Sequence, residues 1–169
     1  MKKKRLRFET MSVHKPRQPR WRPTGDVMLL AKHRAAKPLA SDIDQVLDVL
    51  RAAHKALRQG VATEQQWSVL AGCLDVALAI ERQGVVRGLQ EHLASAQTAL
   101  QAVHDRAGTD WRTTAMRWNE LDAVSTFVNL HAFQIKQLGL AEYLKAIASA
   151  QGAVRSRGEH VMVVREVAA

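Results

Sequence analysis

The amino-acid sequence predicts an all-α protein: an antiparallel bundle of four to five helices with a basic extended N-terminal arm and a short C-terminal strand or tail. Three observations carry this expectation. Apolar residues recur at three- and four-residue spacing through most of residues 41–152, the period that lines one face of a helix. Nine Gly and four Pro are too few for the turns of many short strands. The cationic excess is confined to one end: residues 1–40 hold twelve Lys or Arg against Glu9 and Asp26, whereas residues 41–169 hold thirteen against fourteen acids. The expected organisation is therefore an arm at 1–40, a helical bundle at 41–152 and a tail or strand at 153–169.

Residues 1–24 read MKKKRLRFETMSVHKPRQPRWRPT. Pro16, Pro19 and Pro23 remove backbone donors and push the residues before them into extended or turn geometry. The cations between them repel one another, so this stretch is expected to be disordered in isolation. Residues 26–37 hold one short helical pattern, capped by Asp26 and stopped by Pro38.

The first long helix is predicted over 42–59. Ser41 is placed as N-cap with Asp44 three residues on, and Ile43, Val46, Leu47, Leu50, Ala53 and Leu57 form the apolar face. The second starts at Thr63, with Gln66 as its capping-box partner, and ends at Gly84 by the glycine C-cap rule. Trp67, Leu70, Ala71, Leu74, Ala77 and Leu78, widened by Cys73 and Val76, predict the most buried helix of the set. A third, over 85–106, carries Val86, Leu89, Leu93, Ala96, Leu100 and Val103, and its alanines admit a close neighbour. Gly72 and Gly88 fall inside the second and third patterns, which suggests close helix approach as the reason for them.

Residues 109–118 (TDWRTTAMRW) read as a loop or a short strand, with Trp111 and Trp118 covering an end of the core. The fourth helix, 120–138, is capped by Asn119 and lined by Leu121, Val124, Phe127, Val128, His131, Ile135 and Leu138. Gly139 separates it from a fifth, 140–151, carried by Leu140, Tyr143, Leu144, Ile147 and Ala148. Past Gly152, residues 160–167 (HVMVVREV) are β-branched and apolar and read as an isolated strand or an extended tail. A lone strand needs a partner, either the 111–118 region or a second copy, which makes a homo-oligomer one expectation.

No constellation of catalytic residues is present. There is no HExxH, no Cys/His cluster, no GxSxG and no phosphate-cradling glycine loop, and no catalytic residue, metal or cofactor is expected. His92 and His104, twelve residues apart on one helix, lie roughly 18 Å apart along the axis, too far for one metal ion. His131 sits within an apolar stripe and reads as a hydrogen-bonded core residue. Asp42, Asp44 and Asp48 gather where a helix N-terminus favours negative charge. The single cysteine, Cys73, excludes an intramolecular disulfide, reads as a buried inert thiol, and fits a cytoplasmic protein. No apolar run approaches the roughly 20 residues that span a bilayer, and no membrane partner is expected.

The arm is the feature that stands above background. Lys2, Lys3, Lys4, Arg5 and Arg7 form one basic patch, and Lys15, Arg17, Arg20 and Arg22 around Trp21 form another. Arginine offers forked contacts to phosphate and tryptophan can stack on an unpaired base. These ten residues are the candidate nucleic-acid site, for DNA or RNA with weak sequence specificity. An acidic protein surface or a solubilising role are the other readings of the same charge. The second helical pattern runs without the internal turn of a helix-turn-helix, so sequence reading by the bundle is not expected.

The stretch ALRQGVATEQQWSVLAGCLDVALAIERQG, the alanine-rich third helix and the pattern WNELDAVSTFVNLHAFQIKQLGLAEYLKAI resemble small uncharacterised helical proteins of proteobacterial phages, prophages and plasmids. The resemblance covers residues 41–152 and brings no catalytic residues. It implies a mobile-element setting, in which small accessory proteins regulate, package or inhibit by binding. The expected function is thus a non-enzymatic accessory binding protein acting through its arm, or an inhibitor or assembly subunit whose arm docks on an acidic protein.

Overall fold

The computed structural model describes residue 36 and residues 40–158. Five helices follow one another: α1 (Ala40–Arg58), α2 (Glu64–Gln83), α3 (Gln90–Ala107), α4 (Trp118–Gln137) and α5 (Leu140–Ser156). The arm residues 1–35 and the tail 159–169 lie outside the described residues.

The side-chain contacts define the arrangement. Trp67 at the start of α2 donates through Nε1 to the Leu100 carbonyl late in α3 at 2.9 Å, so these helices run antiparallel. Arg106 at the end of α3 grips Glu120 at the start of α4. His54 near the end of α1 meets Ser125 in the first half of α4. The Gln134 amide, late in α4, donates to the Ala77 carbonyl, late in α2, which sets those two parallel across the diagonal. Together α1–α4 form an up-down-up-down four-helix bundle. Helix α5 lies outside it, antiparallel to α2, with Arg157 just past its end donating to both oxygens of Asp75 in α2.

Helix α2 accordingly packs against all four others, the central place its wide apolar stripe predicts. The main core joins Leu47, Leu50, Leu57, Leu70, Leu93, Leu100, Val103, Phe127 and Ile135. A second, smaller cluster of Ala79, Ile80, Leu138, Ala146 and Ala150 holds α5.

The local signals at α2 act as expected. Thr63 and Gln66 make a reciprocal capping box, and Gly84 ends the helix at φ 76°. Helix α1 closes on Gly60 at φ 70°, with Gly60 donating to Leu57 and Val61 to Ala56, the paired bonds of a Schellman end.

Other boundaries need correction. Helix α1 starts at Ala40, so Ser41 lies within it, and its hydroxyl meets Asp42 rather than capping the helix. Helix α3 starts at Gln90, not 85, because residues 84–89 form a link in which the Glu81 carboxylate accepts the Gly88 and Leu89 amides. Gly88 is therefore outside the helix, at φ 88°. Gly72 does lie in α2, but a Cβ there would meet nothing within 4 Å, so close approach is not its reason. Helix α5 passes through Gly152 and runs to Ser156.

The expected C-terminal strand is corrected: the fold is all-α and no β-strand exists among the described residues, and residues 109–117 take the loop form of the two expected for them. Residues 112–117 are irregular backbone held by one backbone bond and two side chains, with no strand ladder among them; residues 160–167 lie outside the described residues. Arg112 donates its amide to Ala107, the Ala115 carbonyl accepts from Arg106, and Arg117 donates its amide to Glu120.

Candidate functional site

The predicted nucleic-acid site, Lys2, Lys3, Lys4, Arg5, Arg7, Lys15, Arg17, Arg20, Trp21 and Arg22, lies wholly outside the described residues. The structure does describe where the arm joins the bundle. The Ala36 carbonyl accepts the Leu140 amide at 2.9 Å, satisfying one of the free donors at the start of α5. Gly139 gives its amide to Glu142 there. Ala36 thus sits at the corner between α4 and α5.

The opposite end of the bundle carries three aromatic rings in contact. Trp67 and His104 lie 4.6 Å apart between centroids, Trp67 and Trp111 5.9 Å, and His104 and Trp111 6.2 Å. Both half-buried indoles have their N–H groups occupied by the protein itself, Trp67 on Leu100 and Trp111 on Ala62. The two indoles are thereby committed to the fold, while the His104 side chain remains partly exposed. Trp118, expected beside Trp111 as a cover, is instead 80 % exposed.

Buried polar groups are arranged for packing. His131 Nδ1 donates to Gln134 Oε1 at 3.3 Å, and Gln134 Nε2 donates on to Ala77. That chain fixes the imidazole tautomer through the amide orientation. Burial pushes the His131 pKa down to about 4, so the ring is neutral at pH 7 and serves as the hydrogen-bonded core residue that its stripe position indicates. Burial pushes the Cys73 thiol up to about 11, which withholds the thiolate a nucleophile requires.

One pairing escaped the sequence. Ser125 Oγ and His54 Nε2 lie 3.2 Å apart in the seam between α1 and α4, brought together by helix register alone. A serine and a histidine at this distance are two members of a nucleophile–base set. Here burial and the cationic Arg58 both lower the His54 pKa. The neighbouring cation disfavours the imidazolium, and the neutral ring and the hydroxyl form a hydrogen bond across the seam between α1 and α4.

Among the described residues, no group of three or more His, Cys, Asp or Glu gathers to hold a metal ion. Asp42, Asp44 and Asp48 stand on the exposed side of α1, with Asp48 paired to Arg51. Among the same residues no helix is long and apolar enough to cross a membrane. Comparisons with protein-family models, with curated proteins and with solved structures find no match, so function rests on this chain's own residues.

Proposed function

We propose that the chain is a non-enzymatic nucleic-acid-binding protein in which a charge-neutral helical bundle carries a basic arm that grips the phosphate backbone. Segregation of charge carries this reading. Residues 40–158 hold twelve Lys or Arg and twelve Asp or Glu, whereas residues 1–40 hold a surplus of ten positive charges. A balanced body has no electrostatic cause to seek a polyanion, and the arm has a strong one, since each neutralised phosphate releases counterions. Trp21 between Arg20 and Arg22 adds a stacking surface suited to unpaired bases. An accessory role accords with the mobile-element setting that the resemblance of residues 41–152 implies.

The test is fluorescence anisotropy of labelled single-stranded DNA, RNA and duplex DNA against the full chain over a KCl series. Contact with eight phosphates gives a log–log salt slope near about −7 on duplex. Replacing Arg17, Arg20 and Arg22 with Gln is expected to reduce that slope by about three. Trp21→Ala is expected to weaken single strands more than duplex. Equal binding by the neutralised and natural arms, or none at low salt, removes the proposal. Salt-sensitive capture of poly-glutamate with no binding to nucleic acid assigns the arm to an acidic protein partner.

A further inference from the structure

We propose that the outer face shared by the end of α1 and the start of α4 is a second nucleic-acid contact, carried by the bundle itself. In it Trp118 stacks on an unpaired base while Lys55, Arg58 and Arg117 meet the flanking phosphates. The choice of ligand rests on the reading of the chain as a nucleic-acid-binding protein, but the site is separate from the arm.

Register brings these residues together. Helices α1 and α4 pack antiparallel, and the 3.2 Å contact of His54 with Ser125 fixes their pairing. Arg58 stands one turn beyond His54, about 6 Å toward the end of α1, and its charge acts on the His54 ring. Trp118 stands two turns before Ser125, about 10 Å toward the start of α4, and projects from the same face as that serine. Because the helices run in opposite directions, both steps lead to one end of the bundle. They leave Arg58 and Trp118 about one turn apart along the seam. A second contact closes the corner: a Cβ on Gly60 would lie 3.4 Å from the Ala115 Cα, so the link that carries Arg117 rests on the end of α1. Lys55, Arg58, Arg117 and Trp118 are all exposed.

The bundle is balanced in charge as a sum but not in this layout. Over residues 54–62 and 114–122 the acids are Glu120, gripped by Arg106, and Asp122. Among the described residues no carboxylate pairs with Lys55, Arg58 or Arg117, whereas Arg51, Arg106 and Arg157 each hold one. Trp118 is also the most exposed large apolar side chain, 80 % against 43–59 % for Val49, Val61, Val85, Phe133 and Leu144. The four aliphatic residues offer no π-face, and Phe133 lies roughly 22 Å along α4 from this corner. An open indole beside three unpaired cations supplies the two things a single strand takes from a protein, a stacking face and phosphate partners. Ala36, where the arm joins, bonds to Leu140 beyond the other end of α4, roughly 30 Å away, so the two contacts are separate in space.

Photocross-linking of the full chain to an oligothymidylate of about 12 nucleotides carrying 5-iodouracil, followed by peptide mapping, tests this. Cross-links are expected at Trp118 as well as in the arm. Anisotropy with the same oligonucleotide gives a second readout. Trp118→Ala is expected to weaken binding about tenfold, Trp118→Phe much less, and Arg58→Gln to lower the log–log salt slope by about one. The Tm of all three variants is expected to match that of the natural chain, since both positions are exposed. Cross-links at Trp118 that persist when Arg17, Arg20 and Arg22 are replaced with Gln support the contact independently of the arm. Cross-links confined to residues 1–35, with Trp118→Ala binding as tightly as the natural chain, overturn this contact and leave the arm reading intact. No binding by the natural chain at low salt overturns both. Quenching of Trp118 fluorescence by poly-glutamate but not by the oligonucleotide assigns the face to an acidic protein and overturns the contact. Burial of Trp118 in a concentration-dependent dimer assigns it to a second copy and does the same.

Discussion

His131 shows how one residue ties packing to pH. Its ring stacks beside Phe127, 5.8 Å between centroids, and its one charged form is excluded by burial. The native pKa lies near 4 against an ordinary 6.5. Between those values the unfolded chain binds a proton that the folded chain refuses, so stability falls as pH is lowered through this window and levels off beneath it. Two and a half pH units correspond to roughly 3 kcal/mol. His54, also lowered, acts in the same direction. The Arg106 guanidinium and the Arg117 amide hold the Glu120 carboxyl below its usual range, so that stabilisation is lost only at still lower pH. Urea unfolding midpoints at pH 7, 5.5 and 4 are expected to fall for the natural chain and to fall much less for His131→Gln. Parallel curves for the two proteins place the titration elsewhere.

Helix ends show which devices a sequence displays. Those of α2 are local: Thr63 answers Gln66 three residues away, and Gly84 supplies its own left-handed backbone. Both are legible because cap and partner are neighbours in the chain. The starts of α3, α4 and α5 use carboxylates or carbonyls brought by folding or by a second task. Glu81 reaches from α2 to the Gly88 and Leu89 amides, and Ala36 serves α5. At α4, Asn119 attracted the assignment of cap, yet the organising group is Glu120, 5 % exposed. It accepts the Arg117 amide at 2.8 Å and both arms of the Arg106 guanidinium at 2.6 and 2.5 Å. Removing Arg106 leaves that carboxylate buried without its counter-charge, the costly way to break such a pair. Arg106→Met is expected to lose about 2–4 kcal/mol in urea unfolding. Adding Glu120→Gln is expected to return part of the loss, because a neutral amide tolerates the site. Additive losses in the two variants would show that the pair does not organise the corner between α3 and α4.

The same distinction governs the candidate site. The arm was visible because charge composition needs no fold to be read, and His131 because a polar residue interrupts an apolar stripe. The His54–Ser125 pair was not, since it depends on the register of α1 against α4. Nor did periodicity distinguish the exposed Trp118 from the half-buried Trp111. Trp111 sits at φ 45°, a left-handed conformation costly for an aromatic residue. Its indole bond to Ala62 and its contacts with Trp67 and His104 hold it there, and these are long-range facts.

At the scale of the whole molecule, five similar helical patterns concealed an unequal partnership. Helices α1 to α4 enclose the main core, whereas α5 rests on α2 and fully buries only Ala146 and Ala150 of its own side chains. Alanine allows close approach but contributes little apolar area, at about 25 cal/mol per Å² removed from water. Helix α2, by contrast, buries Leu70, Leu74 and Ile80 with Ala77 and Ala79. The remaining attachments of α5, including the Arg157–Asp75 pair and the Ala36–Leu140 bond, lie near its ends, and a partly exposed ion pair adds little. Few buried contacts make a segment open below the global unfolding free energy. Hydrogen exchange is therefore expected to show α5 amides exchanging at least tenfold faster than those of α2, with α2 protected to the global limit. Ile80→Ala should widen the gap by loosening the cluster under α5, while Asp75→Asn should change it only slightly. Exchange of α5 and α2 in a single cooperative step would show that the small second cluster is an integral part of the core rather than a docked layer.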